Sequence, residues 1–329
     1  MNDSKIAVSV IIPVYDTEEY FDRCIRSIMS QTLQEIEIIV VNDCSPGDIE
    51  QRIKPYMEED SRIQYMKTES NKKTGGARNL GKKQAKGEFI MFCDSDDWLD
   101  YSTLEAMYGI TTGGTNEIDV VNCGLYRDYN DNTSRWDHQY SKNFSVSGRT
   151  ALKVLAHQLD YGYSISVSPA NKIYRKELIA DINFIENLYY EEPYFNYRAL
   201  KNARKVGFVS EGKYTYFCRQ GSVIQSITGN HIKDIEQVFN KIKQDIVSSK
   251  EYDEYRDTFI SFLDFYFNII VEQIYDQSDN EKDRQRLLLE IMHVFDRLVS
   301  IDEYLRYLGC QRFRWKIQGD MLASGRRLL

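Results

Sequence analysis

Apolar residues along the first hundred positions fall into short unbroken runs, each closing on a polar or acidic cluster. Val8 to Val14 is apolar apart from Ser9 and Pro13, which suits a central strand that the proline ends. Asp16 with Glu19 then makes a capping-box-like start for a helix burying Phe21, Ile25, Ile28 and Met29. Ile36 to Val41 is the next strand and closes on Asn42-Asp43-Cys44-Ser45. A charged helix over roughly Asp48 to Glu59 leads to a third strand at Ile63 to Met66. The fourth run, Phe89 to Cys93, opens after Gly87 and stops at Asp94-Ser95-Asp96-Asp97. Strand and helix alternate as in a parallel βαβ sheet, and runs of this length read as strands covered on both faces. In open sheets of that kind the ligand crevice lies beyond the carboxyl ends of the strands, where these polar clusters fall.

The pattern loosens afterwards. A helix is expected around Tyr101 to Tyr108, a strand at Ile118 to Cys123, a loop or hairpin over Tyr126 to Asn143, and a short amphipathic helix from Thr150 to Leu159. Val206 to Val209 and Tyr214 to Phe217 read as two further strands. From about His231 the chain has long helical periodicity with almost no Gly or Pro, as in Val238, Ile242 and Ile246 and then Phe259, Phe262, Leu263 and Tyr266. The expected division is a sheet domain over 1–225, in halves 1–100 and 101–225, and a helical region over 226–329.

Composition narrows the chemistry. At 329 residues, 42% hydrophobic and 28% charged, the chain is an ordinary globular one. Its net charge of -8 argues against nucleic acid as a partner, since phosphate binding needs a clustered cationic surface. No apolar stretch approaches the roughly 20 residues of a membrane span, and a cytoplasmic location is expected. Cys24, Cys44, Cys93, Cys123, Cys218 and Cys310 are scattered and read as reduced core thiols, and the four histidines suggest no metal cluster. Asp94, Asp96 and Asp97 put three carboxylates within four residues; an acidic turn explains them, and so does a hard divalent ion shared with substrate phosphates. Gly76 to Lys82 spells GxxxxGK but fails as a nucleotide-triphosphate loop, because Lys83 stands where a hydroxyl must hold Mg²⁺. What remains is a flexible Gly75-Gly76 approach to a helix whose amides and Arg78 could receive a diphosphate, with Lys82, Lys83 and Lys86 solvated on the plainer reading. The last stretch, Gln311 to Leu329, is basic and amphipathic, suited equally to an anionic membrane surface or to packing on an acidic domain.

Four blocks taken together resemble glycosyltransferase family 2, enzymes of the GT-A fold, and particularly bacterial members that build cell-surface polysaccharides. They are Val10-Ile11-Ile12-Pro13-Val14-Tyr15, Val41-Asn42-Asp43-Cys44-Ser45, Gly75-Gly76-Ala77-Arg78-Asn79-Leu80-Gly81 with Ala85-Lys86-Gly87-Glu88, and Phe92-Cys93-Asp94-Ser95-Asp96-Asp97-Trp98. Asn171-Lys172-Ile173-Tyr174, Glu191-Glu192 and Arg219 extend a weaker match to about residue 225. The resemblance implies an α/β fold, a Rossmann-like mostly parallel sheet flanked by helices, with the helical C-terminal region as an appendage.

It also implies a nucleotide-sugar site. Pro13, Val14 and Tyr15 would surround base and ribose, Asp43 would accept from the uracil ring, and Arg78 would contact the diphosphate or the carboxylate cluster. Asp94 and Asp96 match the family's DxD motif, with Asp96 the direct ligand of Mn²⁺ or Mg²⁺ and Asp94 serving ribose or a metal-bound water; Ser95 lies between them. Arg219 would close over the diphosphate. The general base falls in the family's Glu-Asp block, here Glu191-Glu192, with Glu192 aligned to the usual Asp and Glu191 the reserve; an acidic helix start ahead of Pro193 explains the same pair. Tyr161, Tyr163, Tyr189, Tyr190 and Tyr194 are candidates to stack on sugar faces. The implied reaction is inverting, metal-dependent transfer from a UDP-sugar to a glycan or lipid-linked glycan hydroxyl, with the basic C-terminal helix docking at the inner membrane face. The alternatives are a sugar nucleotidyltransferase, against which the acidic Tyr15 to Glu19 stretch counts, and a non-catalytic nucleotide-sugar-binding protein.

Overall fold

The structure, a computed structural model, describes residues 5–112, 117–131, 133–219, 227–277 and 280–309. Its centre is a run of four parallel strands, β1 (Val8–Val14), β2 (Ile36–Asn42), β3 (Ile63–Lys67) and β4 (Phe89–Phe92), in the order β3-β2-β1-β4. Every residue of β1, β2 and β4 is buried, which is why these strands lack a polar alternation in sequence. Register pairs Val14 with Asn42 and Ile11 with Phe92, so the three strands finish at one edge of the sheet. Ser9 and Glu37, polar inside this apolar layer, satisfy each other: Ser9 Oγ donates to Glu37 Oε1 at 2.6 Å, while Gln64 Nε2 donates to Glu37 Oε2 and the Gly87 amide to Ser9 Oγ.

The helices α1 (Glu18–Met29), α2 (Ile49–Glu59) and α3 (Lys73–Gln84) join these strands. Two expectations are corrected here. Asp16 does not cap α1: it sits in the left-handed region at φ 54°, and Thr17 takes the N-cap position, its hydroxyl pairing with Ser95 Oγ at 2.6 Å. The glycines Gly75 and Gly76 do not precede α3 but lie within its first turn. They and Gly81 serve close packing. A Cβ on Gly81 would stand 2.5 Å from Ile11 Cγ2, so only glycine lets α3 approach β1 and β2 this closely.

The second half extends the sheet as β4-β9-β6-β10-β5 with mixed polarity. Its elements are β5 (Trp98–Leu99), α4 (Thr103–Thr112), β6 (Ile118–Asp128), β7 (Arg135–His138), β8 (Phe144–Ser147), α5 (Gly148–Leu155), β9 (Lys172–Arg175), α6 (Lys176–Ile179), α7 (Glu192–Asn202) and β10 (Lys205–Phe217). The stretch from Tyr126 to Asn143 forms a hairpin in which β6 runs on to Asp128 and pairs antiparallel with β7. The two short strands expected at 206–209 and 214–217 are one long β10, with a register shift against β6 between Phe208 and Lys213. Strand β9 is antiparallel to both β4 and β6, with Phe89 opposite Arg175 and Met91 opposite Ile173. The amino end of β9 therefore lies at the carboxyl end of β4.

Chain contacts divide the molecule into two compact units, Met1–Leu155 with Leu159–Gln225, and Ala156–Gln158 with Ser226–Leu329. The second is helical, with α8 (Gly229–Ser248), α9 (Tyr252–Gln277), α10 (Glu281–Leu298) and a further helix over 301–309. Phe239 of α8 packs against Phe259, Phe262 and Tyr266 of α9. Among the described residues no helix is long and apolar enough to cross a membrane. The basic stretch from Gln311 to Leu329 and Cys310 lie outside the described residues. The other five cysteines are thiols, with Cys24, Cys93 and Cys123 buried.

Candidate active site

Four turns meet at the carboxyl edge of the parallel strands. Each carries one non-glycine residue in the left-handed region: Asp16 after β1, Cys44 after β2, Lys73 at the start of α3 and Tyr190 before α7. Such conformations cost about 1 kcal/mol or more apiece and gather where a local shape is fixed by its surroundings. The first two turns are tied together, since the Asp43 amide donates to the Val14 carbonyl at 2.9 Å. The Asp43 carboxylate is buried and already oriented, accepting from Thr68 Oγ1 at 2.8 Å and from the Lys72 amide at 3.0 Å. Burial raises its pKa, and those hydrogen bonds work against the rise. Pro13 and Val14 end β1 beside it, and Tyr15 follows with 49% of its surface exposed.

Arg78 is the hub. Its side chain is 2% exposed, with Nη2 donating to Asp94 Oδ1 at 2.8 Å, Nη1 donating to Glu191 Oε1 at 3.0 Å, and Glu192 Oε1 at 4.0 Å from the same nitrogen. Residues distant in sequence, from α3, the end of β4 and the start of α7, thereby converge on one guanidinium. Gly75 permits the approach, because a Cβ there would lie 3.1 Å from Glu191 Cγ and 3.0 Å from the Ile185 carbonyl. Burial alone would lower the pKa of Arg78, but Asp94, Glu191 and Glu192 together outweigh it and raise it. One cation cannot hold three carboxylates ionised in a dry site. Burial first and the neighbouring Glu192 second push Glu191 up to about 8. The Glu191 side chain is 5% exposed and that of Glu192 28%, so the second acid is the one open to solvent. Glu191 occupies the N-cap position of α7 and Glu192 its first turn, as an acidic helix start would, and both also face Arg78.

The acidic turn after β4 is fastened to β10 and to the residues that follow it. Arg219 Nε donates to Asp96 Oδ2 at 2.7 Å. Tyr214 donates its hydroxyl proton to Asp97 Oδ2 and accepts from the Asp94 amide at 3.1 Å. The Phe217 amide donates to Asp97 Oδ1 at 2.8 Å. Asp97 is fully buried, and burial with the charges of Asp96 and Asp94 keeps its pKa well above the carboxylate range. On the far side Arg23 donates to the Asp96 carbonyl and stacks 3.6 Å from the Trp98 ring centre and 4.4 Å from that of Phe217.

The site residues named from sequence therefore fall in one region, with Arg78, Asp94, Glu191 and Glu192 in one cluster and Asp96, Asp97 and Arg219 in the next. Among the described residues no three carboxylate, thiol or imidazole groups converge so as to hold a metal ion by themselves. Among the described residues Asp94 Oδ2 accepts no hydrogen bond, so that carboxylate keeps an oxygen beyond the one Arg78 engages. One lysine departs from expectation: Lys82 is not solvated but buried, its ammonium donating to the carbonyls of Ile179, Ala180 and Ile182 at and just after the end of α6. Of the aromatic candidates, Tyr161 is exposed, Tyr194 is buried, and Tyr163 packs on Phe144 and Phe208. Tyr214 was not singled out from sequence, where it is one aromatic among several in an apolar strand and nothing local marks its pairing with Asp97.

Comparison with known proteins gives the same picture. The family described as Glycosyl transferase family 2 matches residues 9–182. Glycosyltransferase GlyG of Streptococcus pneumoniae is 27% identical over 79% of this chain and 87% of its own length. Putative glycosyltransferase EpsH of Bacillus subtilis is 30% identical over 77% of this chain and 74% of its own. The crystal structure of residues 1–349 of Staphylococcus aureus TarS, in complex with UDP-GlcNAc, shares the fold with a TM-score of 0.60 at 20% identity, covering 98% of this chain and 93% of that one. The sheet with its flanking helices, the acidic strand ends and the matched span agree: this chain belongs to glycosyl transferase family 2 and is a glycosyltransferase.

Proposed function

We propose that the protein transfers a sugar from a UDP-sugar to a hydroxyl of a glycan or lipid-linked glycan, with inversion at the anomeric carbon and with a divalent metal ion. The observation that carries this reading is the convergence of Asp94, Glu191 and Glu192 on the buried Arg78, which puts the acidic strand end and a candidate base in one cluster. TarS, similar in fold and solved with UDP-GlcNAc and with UDP, supports the donor class.

Asp43 offers an acceptor to the uracil N3 hydrogen, and Pro13, Val14 and Tyr15 flank base and ribose. Hard carboxylates suit Mn²⁺ or Mg²⁺, so Asp94 and Asp96 would hold the ion together with the donor diphosphate. When bound, that ion offsets negative charge growing on the departing diphosphate. Arg219 exchanges its pairing with Asp96 for the phosphate oxygens as they enter. Glu192 is the base. Burial and the neighbouring Glu192 push Glu191 up to about 8; burial raises Glu192 as well, but Glu192 is the more open of the two to an acceptor. The acceptor oxygen then bonds to the anomeric carbon as the bond to the diphosphate oxygen breaks; its proton passes to Glu192 and the electron pair leaves with UDP. An acceptor at a lipid surface would give the basic stretch from Gln311 to Leu329 its role as a dock.

The test is UDP release from UDP-GlcNAc with Mn²⁺, by wild type and by Glu192→Gln. General-base loss should lower turnover by about 10²- to 10⁴-fold while UDP affinity is kept. Undiminished turnover in Glu192→Gln would remove that residue from the base role.

A further inference from the structure

Segment 164–168 belongs to no helix or strand, yet four of its five carbonyls are taken by side chains of the fold. Tyr140 donates its hydroxyl to the Ser164 carbonyl at 3.1 Å. Lys172 Nζ donates to the carbonyls of Ser166 and Ser168 at 2.7 and 2.6 Å and to Asn171 Oδ1 at 2.9 Å. Asn196 Nδ2 donates to the Val167 carbonyl at 2.6 Å, while Asn196 Oδ1 accepts from Tyr174 at 2.7 Å. Lys172, Asn196 and Tyr174 are all fully buried.

A buried lysine ordinarily answers a carboxylate. Among the described residues Lys172 pairs with none: its three N–H groups meet three neutral oxygens, so the ammonium is saturated by the shape of one loop. Placement gives the loop its meaning. Strand β9 begins at Lys172 and runs antiparallel to β4, so the residues just before it come to the sheet edge where Asp94 stands. Asn196 lies four residues, one helical turn, beyond Glu192 on α7. Its amide thus joins the loop to the helix that carries the candidate base.

We propose that Lys172 and Asn196 are positioning residues that hold segment 164–168 as the acceptor-side wall of the site and, through the Val167 carbonyl, fix the first turn of α7. This rests on the proposed function for the word acceptor, and on the hydrogen bonds alone for the wall. Ser164, Val167 and Ser168, each partly exposed, are the side chains this wall would present to a sugar.

The full chain with Lys172→Met, and separately with the milder Tyr174→Phe, is compared with wild type by amide hydrogen exchange, by UDP titration with Mn²⁺, and by UDP-GlcNAc hydrolysis. Exchange in peptides over 160–170 and 190–197 should rise at least about tenfold in Lys172→Met and several-fold in Tyr174→Phe, with β1 to β4 unchanged. UDP affinity should stay within about twofold and the hydrolysis kcat should fall at unchanged KM. Unchanged exchange in those two peptides overturns the proposal, and so does a uniform rise over the whole sheet with loss of UDP affinity, which a merely structural lysine would produce. Failure of the wild type to bind UDP would count against the donor reading instead, and the exchange pattern would still decide the wall.

Discussion

Replacing Glu191 by Gln should make the protein more stable than wild type at pH 8 and leave it nearly unchanged at pH 5. The argument starts from Arg78, a buried cation facing Asp94, Glu191 and Glu192, which cannot neutralise all three. Burial and then Glu192 raise the pKa of Glu191 from 4.5 to about 8. An acid whose native pKa lies above its unfolded value contributes stability that is complete below pH 4.5 and is lost as pH climbs towards 8. The slope cannot exceed about 1.4 kcal/mol per pH unit, which caps the loss near 5 kcal/mol. The figure of about 8 already contains the attraction of Arg78 for the ionised form, and proton sharing with Glu192 reduces the loss further, to about 2 kcal/mol. Gln offers Arg78 Nη1 the same acceptor oxygen and has no proton to lose. Thermal unfolding in EDTA from pH 5 to 8.5 reads the difference: about 4–8 °C in favour of Glu191→Gln at pH 8, closing to nearly nothing at pH 5. A difference that does not vary with pH would refute the assignment of the shared proton to Glu191.

Other consequences are nearer to simple deletion. Tyr214→Phe strands Asp97 Oδ2 and the Asp94 amide in a dry setting, at a cost of about 2–4 kcal/mol, and denaturant unfolding should show it together with a weaker UDP affinity. Lys82→Met leaves three carbonyls at the end of α6 without their donor and should lower stability by a similar amount; equal UDP affinity in the same variant would bear out a structural role for that lysine. Gly81→Ala drives a methyl against Ile11 and should cost about 1–3 kcal/mol in chemical denaturation.

The parallel half of the sheet was legible because its strands are buried on both faces and so read as unbroken apolar runs, and because each run stops at the polar residues that line the sheet edge. Asp43, Asp94 and Asp96 could be placed from that alone. What sequence could not carry is the pairing between distant segments. Arg78 and Glu191 stand 113 positions apart, and nothing local says that they meet. Lys82 read as an ordinary solvated lysine, and nothing in sequence marked Lys172 as buried, because their partners are mainly backbone carbonyls, which leave no mark in a sequence. The cap of α1 was misplaced for a related reason: Asp16 is a good capping residue, but the turn that joins β1 to the site forces it into the left-handed region and hands the position to Thr17. Strand β9 escapes the βαβ rhythm altogether, being four residues long and antiparallel, yet it delivers Lys172 to the site's edge.

The most direct test of the central claim is calorimetric titration of the full chain with UDP, with GDP as control, each with and without Mn²⁺, in wild type, Asp96→Ala and Glu192→Gln. The account predicts binding of UDP that requires Mn²⁺, is lost in Asp96→Ala and is kept in Glu192→Gln. UDP binding that ignores both the metal and Asp96, or binding of neither nucleotide under any condition, would contradict it.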